Sequence, residues 1–329
     1  MRRLSRLLAF IFCAIATFAS ASAPSSAQTS SAPAWPTRTV RFIVPLGPGS
    51  GVDITARLFA DRLSQKWGQA VVVENKPGGD SFMAINAVLT AHDDHMLLFI
   101  PASSFTAHAY LHDKLPYDPK DLVPIARVTN TLIAVAVNSK LPVKTLADLV
   151  KMARDEPGKL NWASVTGANE LLFDSFLKIQ KLSMAKVAYK NPVDAANDLA
   201  EGRIHSYVSA YAIVRPRVEA GKVTVLALTN HKRAPQYPNI PTAEEAGFPS
   251  LAFDGLVGVI GTKDVPKVAR DRIAADIKQI ASDPEVNKRL SATGQVVSAG
   301  NGAEFAAEIE DQRATVKKIG EVLGIKPAQ

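Results

Sequence analysis

The chain has 329 residues, 47% of them apolar and 21% charged, with 38 Lys and Arg against 31 Asp and Glu and a formal charge of +7. Its length accommodates one large unit or two lobes of about 100–150 residues each, and its basic residues are scattered, without the aromatic-interleaved stripe that nucleic acids require. Cys13 is the only cysteine and falls within an apolar leader, so the mature chain is expected to have no disulfide framework, thiolate nucleophile or cysteine metal site.

Arg2, Arg3 and Arg6 open the chain, followed by the apolar run LLAFIFCAIATFA (7–19) and then small residues. That run is shorter than the roughly 20 residues that span a bilayer. Residues 1–27 therefore read as a secretion signal cut after Ala27, and 28–34 (QTSSAPA) as a spacer. Phe12 stands where a lipoprotein cysteine needs a small residue, so no lipid anchor is expected. The mature protein is predicted to be exported to the periplasm.

Residues 39–45 (TVRFIVP) have the β-branched and aromatic content of a strand. A glycine loop, 46–51 (LGPGSG), leads into a helical pattern over 52–67, with Ile54, Leu58, Phe59, Leu63 and Trp67 on one face. A strand at 71–74, a KPGG turn, a helix at 82–89 and a strand at 96–100 continue the alternation. This rhythm predicts an open, largely parallel sheet with helices on both faces. It restarts with a strand at 132–137 and a Thr145-capped helix at 146–154. Strands at 160–163, 186–188, 204–208 and 223–228 alternate with helices at 171–178, 193–200 and 213–219. Residues 231–250 carry Pro235, Pro238, Pro241 and Pro249 and form a rigid connector. Residues 256–260 (LVGVI) look like a strand returning to the first half, and the tail is mainly helical. The α/β pattern predicts two lobes with a cleft between them: 35–131 plus 256–329, and 132–255.

The loop PLGPGSGVD (45–53) is the most informative segment. Leu46, Gly47, Gly49, Ser50 and Gly51 precede a helix start whose unpaired N–H groups suit a carboxylate or phosphate. A tight turn with Asp53 as a helix cap explains the same residues. Val52 fills the third glycine position of a dinucleotide fingerprint, and no Gly-Lys-Ser/Thr follows. At the matching place in the second half, ASVTGAN (163–169) offers Ser164, Thr166, Gly167 and Asn169 as ligand donors or as helix caps. Ser103 and Ser104 follow a first-half strand and fall on the same rim. Two such loops at the C-terminal ends of strands in facing lobes could close on one anion. The cluster His92-Asp93-Asp94-His95 and the i,i+4 pair His108/His112 invite a metal, but there is no HExxH and Asp93-Asp94 fits a turn; neither a metal nor a cofactor is expected. Ser50 lies between Pro48 and Val52, not in a GxSxG elbow, so no catalytic residue is assigned and the chain is not expected to be an enzyme.

The chain resembles the Bug-type receptors of tripartite tricarboxylate transporters. The segments that carry the likeness are WPTRTVRFIVPLGPGSGVDITARLFADRLS (35–64), VVVENKPGG (71–79), LPYDPKDLVPIA (115–126), PGKLNWAS (157–164), VAYKNPVDAANDLAEGRI (187–204), RAPQYPNIPTAEEAGFP (233–249) and DPEVNKRLSATGQ (283–295). The resemblance implies a two-lobed periplasmic-binding-protein (Venus-flytrap, type II-like) α/β fold. It also implies a monomer that captures a small organic acid between the 46–53 and 164–169 loops and delivers it to the membrane subunits of such a transporter. Two departures stand out: SVTGANELL is shorter than the family's second loop and lacks a histidine, and IHSYVSAY replaces an acidic pair. The second departure makes Ser209 and Tyr211 candidates for the far end of the ligand. An accessory that presents its ligand to a membrane sensor, and an exported hydrolase or lyase using the same cleft, are the alternative expectations.

Overall fold

The protein is described by a computed structural model covering residues 35–164, 167–189 and 191–328. The expected signal and spacer lie outside the described residues, as does Thr166. In chain order the first elements are β1 (Val40–Val44), α1 (Gly51–Trp67), β2 (Val71–Asn75), α2 (Phe82–Ala91) and β3 (Met96–Pro101). Two short turns of helix follow, α3 (Ser103–Thr106) and α4 (His108–Leu111), then β4 (Val123–Thr131). The second group is β5 (Ile133–Asn138), α5 (Leu146–Asp155), β6 (Asn161–Ser164), α6 (Gly167–Gln180), β7 (Ala185–Lys186), α7 (Pro192–Glu201), β8 (Ser206–Ala210), α8 (Tyr211–Glu219) and β9 (Val223–Leu228). The chain returns through β10 (Gly255–Gly261), α9 (Lys267–Ala281), α10 (Pro284–Ser291), β11 (Gln295–Asn301) and α11 (Gly302–Leu323).

These strands build two sheets, one per lobe, ordered β11-β4-β10-β3-β1-β2 and β7-β6-β8-β5-β9. The βαβ rhythm holds where helices connect neighbouring strands: β1 runs parallel to β2 and β3, and β6 parallel to β7 and β8. The sheets are nevertheless mixed rather than largely parallel. β10 is antiparallel to both β3 and β4, β11 to β4, and β5 to β8 and β9. The reason is the crossing between lobes. β4 runs almost directly into β5 with only Leu132 between them, and β10 brings the chain back, so both directions of travel enter each sheet.

Each sheet has its own aromatic core. Phe42 and Phe99 meet at 5.5 Å beneath α1 in the first lobe, where Phe59 is fully buried. Trp162 meets Phe173 at 4.8 Å in the second lobe. Each such side chain contributes about 1.5–3 kcal/mol through burial. The tail does not serve the first lobe alone: α11 buries Phe305 and Ile309 beside β3 and β10 residues, and Val316 and Ile319 in the second lobe's core.

The crossings are fastened by polar side chains. Asn230 Oδ1 accepts the N–H of Ile133 at 3.2 Å, and its Nδ2 donates to Thr131 O at 3.0 Å, bracketing Leu132. Gln295 accepts the Thr129 hydroxyl at 2.9 Å and donates to Thr131 Oγ1 at 3.0 Å.

Candidate ligand-binding site

The loop after β1 is built around one carboxylate. Gly49 adopts φ 83°, a left-handed conformation that glycine takes without a steric penalty. This turns its N–H toward Asp53 Oδ2, at 2.9 Å. Arg57 Nε donates to the same oxygen at 3.1 Å. Asn75 Nδ2 donates to Asp53 Oδ1 at 2.8 Å and to Leu46 O at 2.9 Å. Ser50 caps α1 by accepting the N–H of Asp53 at 3.2 Å. Asp53 is only 2% exposed; burial raises its pKa, but the donors from Arg57, Asn75 and Gly49 outweigh that and hold it below the ordinary aspartate range. Asp53 therefore organises the loop. The N–H groups of Gly51 and Val52 belong to the first turn of α1, which has no partners for them within the helix.

β1 and β3 are parallel neighbours, so Ser103 and Ser104, half-buried at the start of α3, emerge at the same sheet end as the 46–51 loop. In the other lobe, Ser164 ends β6 beside Val208 of β8. It is 4% exposed, and its hydroxyl has no hydrogen-bond partner among the described residues. Gly167 and the buried Asn169 occupy the first turn of α6. Ser209 lies in the neighbouring strand but, by alternation along β8, faces the opposite side of the sheet from Ser164. Tyr211 is buried at the start of α8, its ring 4.5 Å from that of Tyr237, and burial pushes its hydroxyl up to about 12.

Two contacts join these strand ends across the lobes. A Cβ placed on Gly51 would lie 2.7 Å from Gln295 Nε2 and 3.3 Å from Thr293 O, while one on Gly294 would lie 3.2 Å from Ala212 N. The turn at 293–295 thus touches the first turns of both α1 and α8. Arg215 donates to Ala292 O at 2.5 Å on the same side. At the second contact, a Cβ on Gly167 would lie 2.5 Å from Leu111 Cδ1, so α4 packs against the start of α6. The helix starts after β1 and β8 therefore meet at the 293–295 turn, and the helix start after β6 meets α4 of the first lobe; helix N-termini of this kind favour negative charge.

Sequence reasoning missed Arg57, Asn75 and Gln295. The first two fix Asp53, and the third ties the 293–295 turn to β4. Asn75 lies within VVVENKPGG, but its hydrogen bond spans to Asp53, far along the chain.

The family model for the tripartite tricarboxylate transporter family receptor matches residues 55–325. This chain belongs to that receptor family. It is 29% identical to protein BugT of Bordetella pertussis over 271 residues, 80% of this chain and 81% of that one. A solved periplasmic transporter is 31% identical with a TM-score of 0.78, covering 89% of this chain and 99% of that one. The R. palustris protein Rpa4515, solved with adipate, is 27% identical with a TM-score of 0.77 over the same shares of the two chains. Among the described residues of this receptor, no helix is long and apolar enough to cross a membrane.

Proposed function

We propose that this receptor works in the periplasm, where it closes its two lobes on a small molecule bearing a carboxylate and delivers it to the membrane subunits of a tripartite tricarboxylate-type transporter. The lobes are 35–131 with 256–329, and 132–255. The observation that supports the reading is the buried Ser164 hydroxyl at the end of β6, which has no hydrogen-bond partner among the described residues. A buried hydroxyl without a partner costs roughly 1–3 kcal/mol, and a ligand oxygen would remove that cost. Adipate in Rpa4515 supports a dicarboxylate as the first compound to try.

In this reading Gly47, Gly49, Ser50, Gly51 and Leu46 form one jaw with Ser103 and Ser104, and Ser164, Thr166, Gly167 and Asn169 form the other. Asp53 holds the first jaw, and Ser209 and Tyr211 support the second from within its lobe. Ligand binding favours the closed arrangement by differential affinity, with no bond made or broken. The test is thermal unfolding with and without adipate and related dicarboxylates, with the added acid recovered afterward. The reading predicts a concentration-dependent rise in Tm and intact acid. Conversion of the acid, or no rise with any carboxylate, contradicts it.

A further inference from the structure

Asp80, His108 and His112 come together beside α4, with one ligand-type atom from each lying within 4.8 Å of the others. His112 Nε2 is 2.8 Å from Asp80 Oδ2, and His108 Nε2 is 3.7 Å from the same oxygen. His108 Nε2 is also 2.8 Å from the Asp80 carbonyl oxygen. On its far side, His108 Nδ1 is 2.8 Å from the Tyr117 hydroxyl. The Phe82 ring packs on both imidazoles, at 4.5 and 4.8 Å.

Three features set this group apart from a routine surface ion pair. First, the histidines are spaced i,i+4, and among the described residues the only ion-pair partners of Asp80 are these two imidazoles; no Lys or Arg neutralises it. Second, Asp80 and Ser81 hold consecutive left-handed conformations, φ 50° and 73°. This is a backbone cost of order 1 kcal/mol or more each, and in this conformation Asp80 Oδ2 and the Asp80 carbonyl oxygen face the histidines. Third, the spacing suits a cation. Metal bonds of about 2.0–2.2 Å in a tetrahedral site place donor atoms about 3.3 Å apart, and the observed 2.8 and 3.7 Å fall on either side of that value.

The group Asp93, Asp94 and His95 is different. Arg38 pairs with both of its carboxylates, at 2.7 and 3.3 Å, and His95 Nε2 already accepts the N–H of Thr37 at 3.0 Å. Its carboxylates are already neutralised by a guanidinium, as that of Asp80, among the described residues, is not.

We propose that Asp80, His108 and His112 form a binding site for a divalent transition-metal ion of the zinc class, with two imidazole nitrogens and a carboxylate oxygen as ligands. His108 then carries its proton on Nδ1 and donates it to the Tyr117 oxygen, the outer partner that fixes a ligating ring. The Asp80 and His112 side chains are 43% and 31% exposed, which leaves a coordination position open to water. The site stands apart from the carboxylate reading: it needs none of the residues of either jaw.

The test is calorimetric titration of Zn²⁺ into untagged, EDTA-stripped receptor, with matched titrations of three variants whose folding is checked by circular dichroism. The expected result is one equivalent bound by the wild type, with affinity reduced at least tenfold in both His112→Ala and Asp80→Asn. Asn tolerates the left-handed backbone at that position, so the second variant keeps the test valid if the first unfolds. Asp93→Asn should bind as the wild type does. The proposal is overturned by the absence of stoichiometric binding, by binding that both substitutions leave intact, or by loss in Asp93→Asn instead.

Discussion

The backbone N–H of Gly49 donates to the carboxylate of Asp53 at 2.9 Å, closing the loop that follows β1 onto its own helix. Because Arg57 and Asn75 grip the same carboxylate, the loop is ordered by its own contacts, and a ligand bound there, as proposed, would not meet the entropy of ordering it.

Asp53→Ala should destabilise the fold by about 2–3 kcal/mol, since it strands the Gly49 N–H, leaves Asn75 Nδ2 with Leu46 O alone and removes charged hydrogen bonds. Urea unfolding should show a lower midpoint at an unchanged slope. A change below 0.5 kcal/mol would mean that the loop keeps its shape by other means.

The same group sets an acid limb. Its folded-state pKa lies below the ordinary value of 3.8, so its contribution is complete above that pH and is lost as the pH falls through the lower folded value. Wild-type and Asp53→Asn proteins should differ by a constant amount in stability at pH 5–7. Below about pH 3.8 the wild type should lose stability more steeply and the gap should narrow. A gap that widens on acidification contradicts the assignment.

Two glycines of one loop should respond in opposite ways. Gly47 has nothing within 4 Å of an added Cβ, whereas at Gly51 the methyl would press on Gln295, itself 1% exposed and tied to Thr129. Gly47→Ala should leave Tm within about a degree, and Gly51→Ala should cost about 1–3 kcal/mol as an overpacked site. Thermal unfolding of the pair checks this, and equal effects would contradict it.

Ser164→Ala should separate stability from binding. Removing a buried hydroxyl that lacks a partner among the described residues leaves the empty receptor as stable or up to about 1 kcal/mol more stable, while carboxylate affinity falls about five- to tenfold. Calorimetric titration beside thermal unfolding reads both quantities. Unchanged affinity would remove Ser164 from the site.

What the sequence disclosed followed the range of the interactions. β1, α1 and β3 were legible because their periodicity and the LGPGSG break are local signals. β4 and β11 were not: VPIARVTNT and QVVSAGN are polar and irregular, and they become strands through antiparallel pairing with each other and, for β4, with distant β10. The four-residue helices α3 and α4 are too short for a periodic pattern. A structural role for Asp53 in its loop is visible in the sequence, but as a helix cap, a place that Ser50 takes; Asp53 instead holds the Gly49 N–H, and its partner Asn75 lies 22 residues away in sequence. Likewise, the His108/His112 spacing was plain, while Asp80 joins it only through the turn that follows β2.

A crystal structure of the receptor with a bound dicarboxylate tests the central claim most directly. The account predicts a ligand carboxylate within about 2.7–3.2 Å of the Gly51 or Val52 N–H, with the same molecule reaching the Ser164 hydroxyl or the first turn of α6. A dicarboxylate held by one lobe alone, or bound away from the seam between α1 and α6, would contradict it.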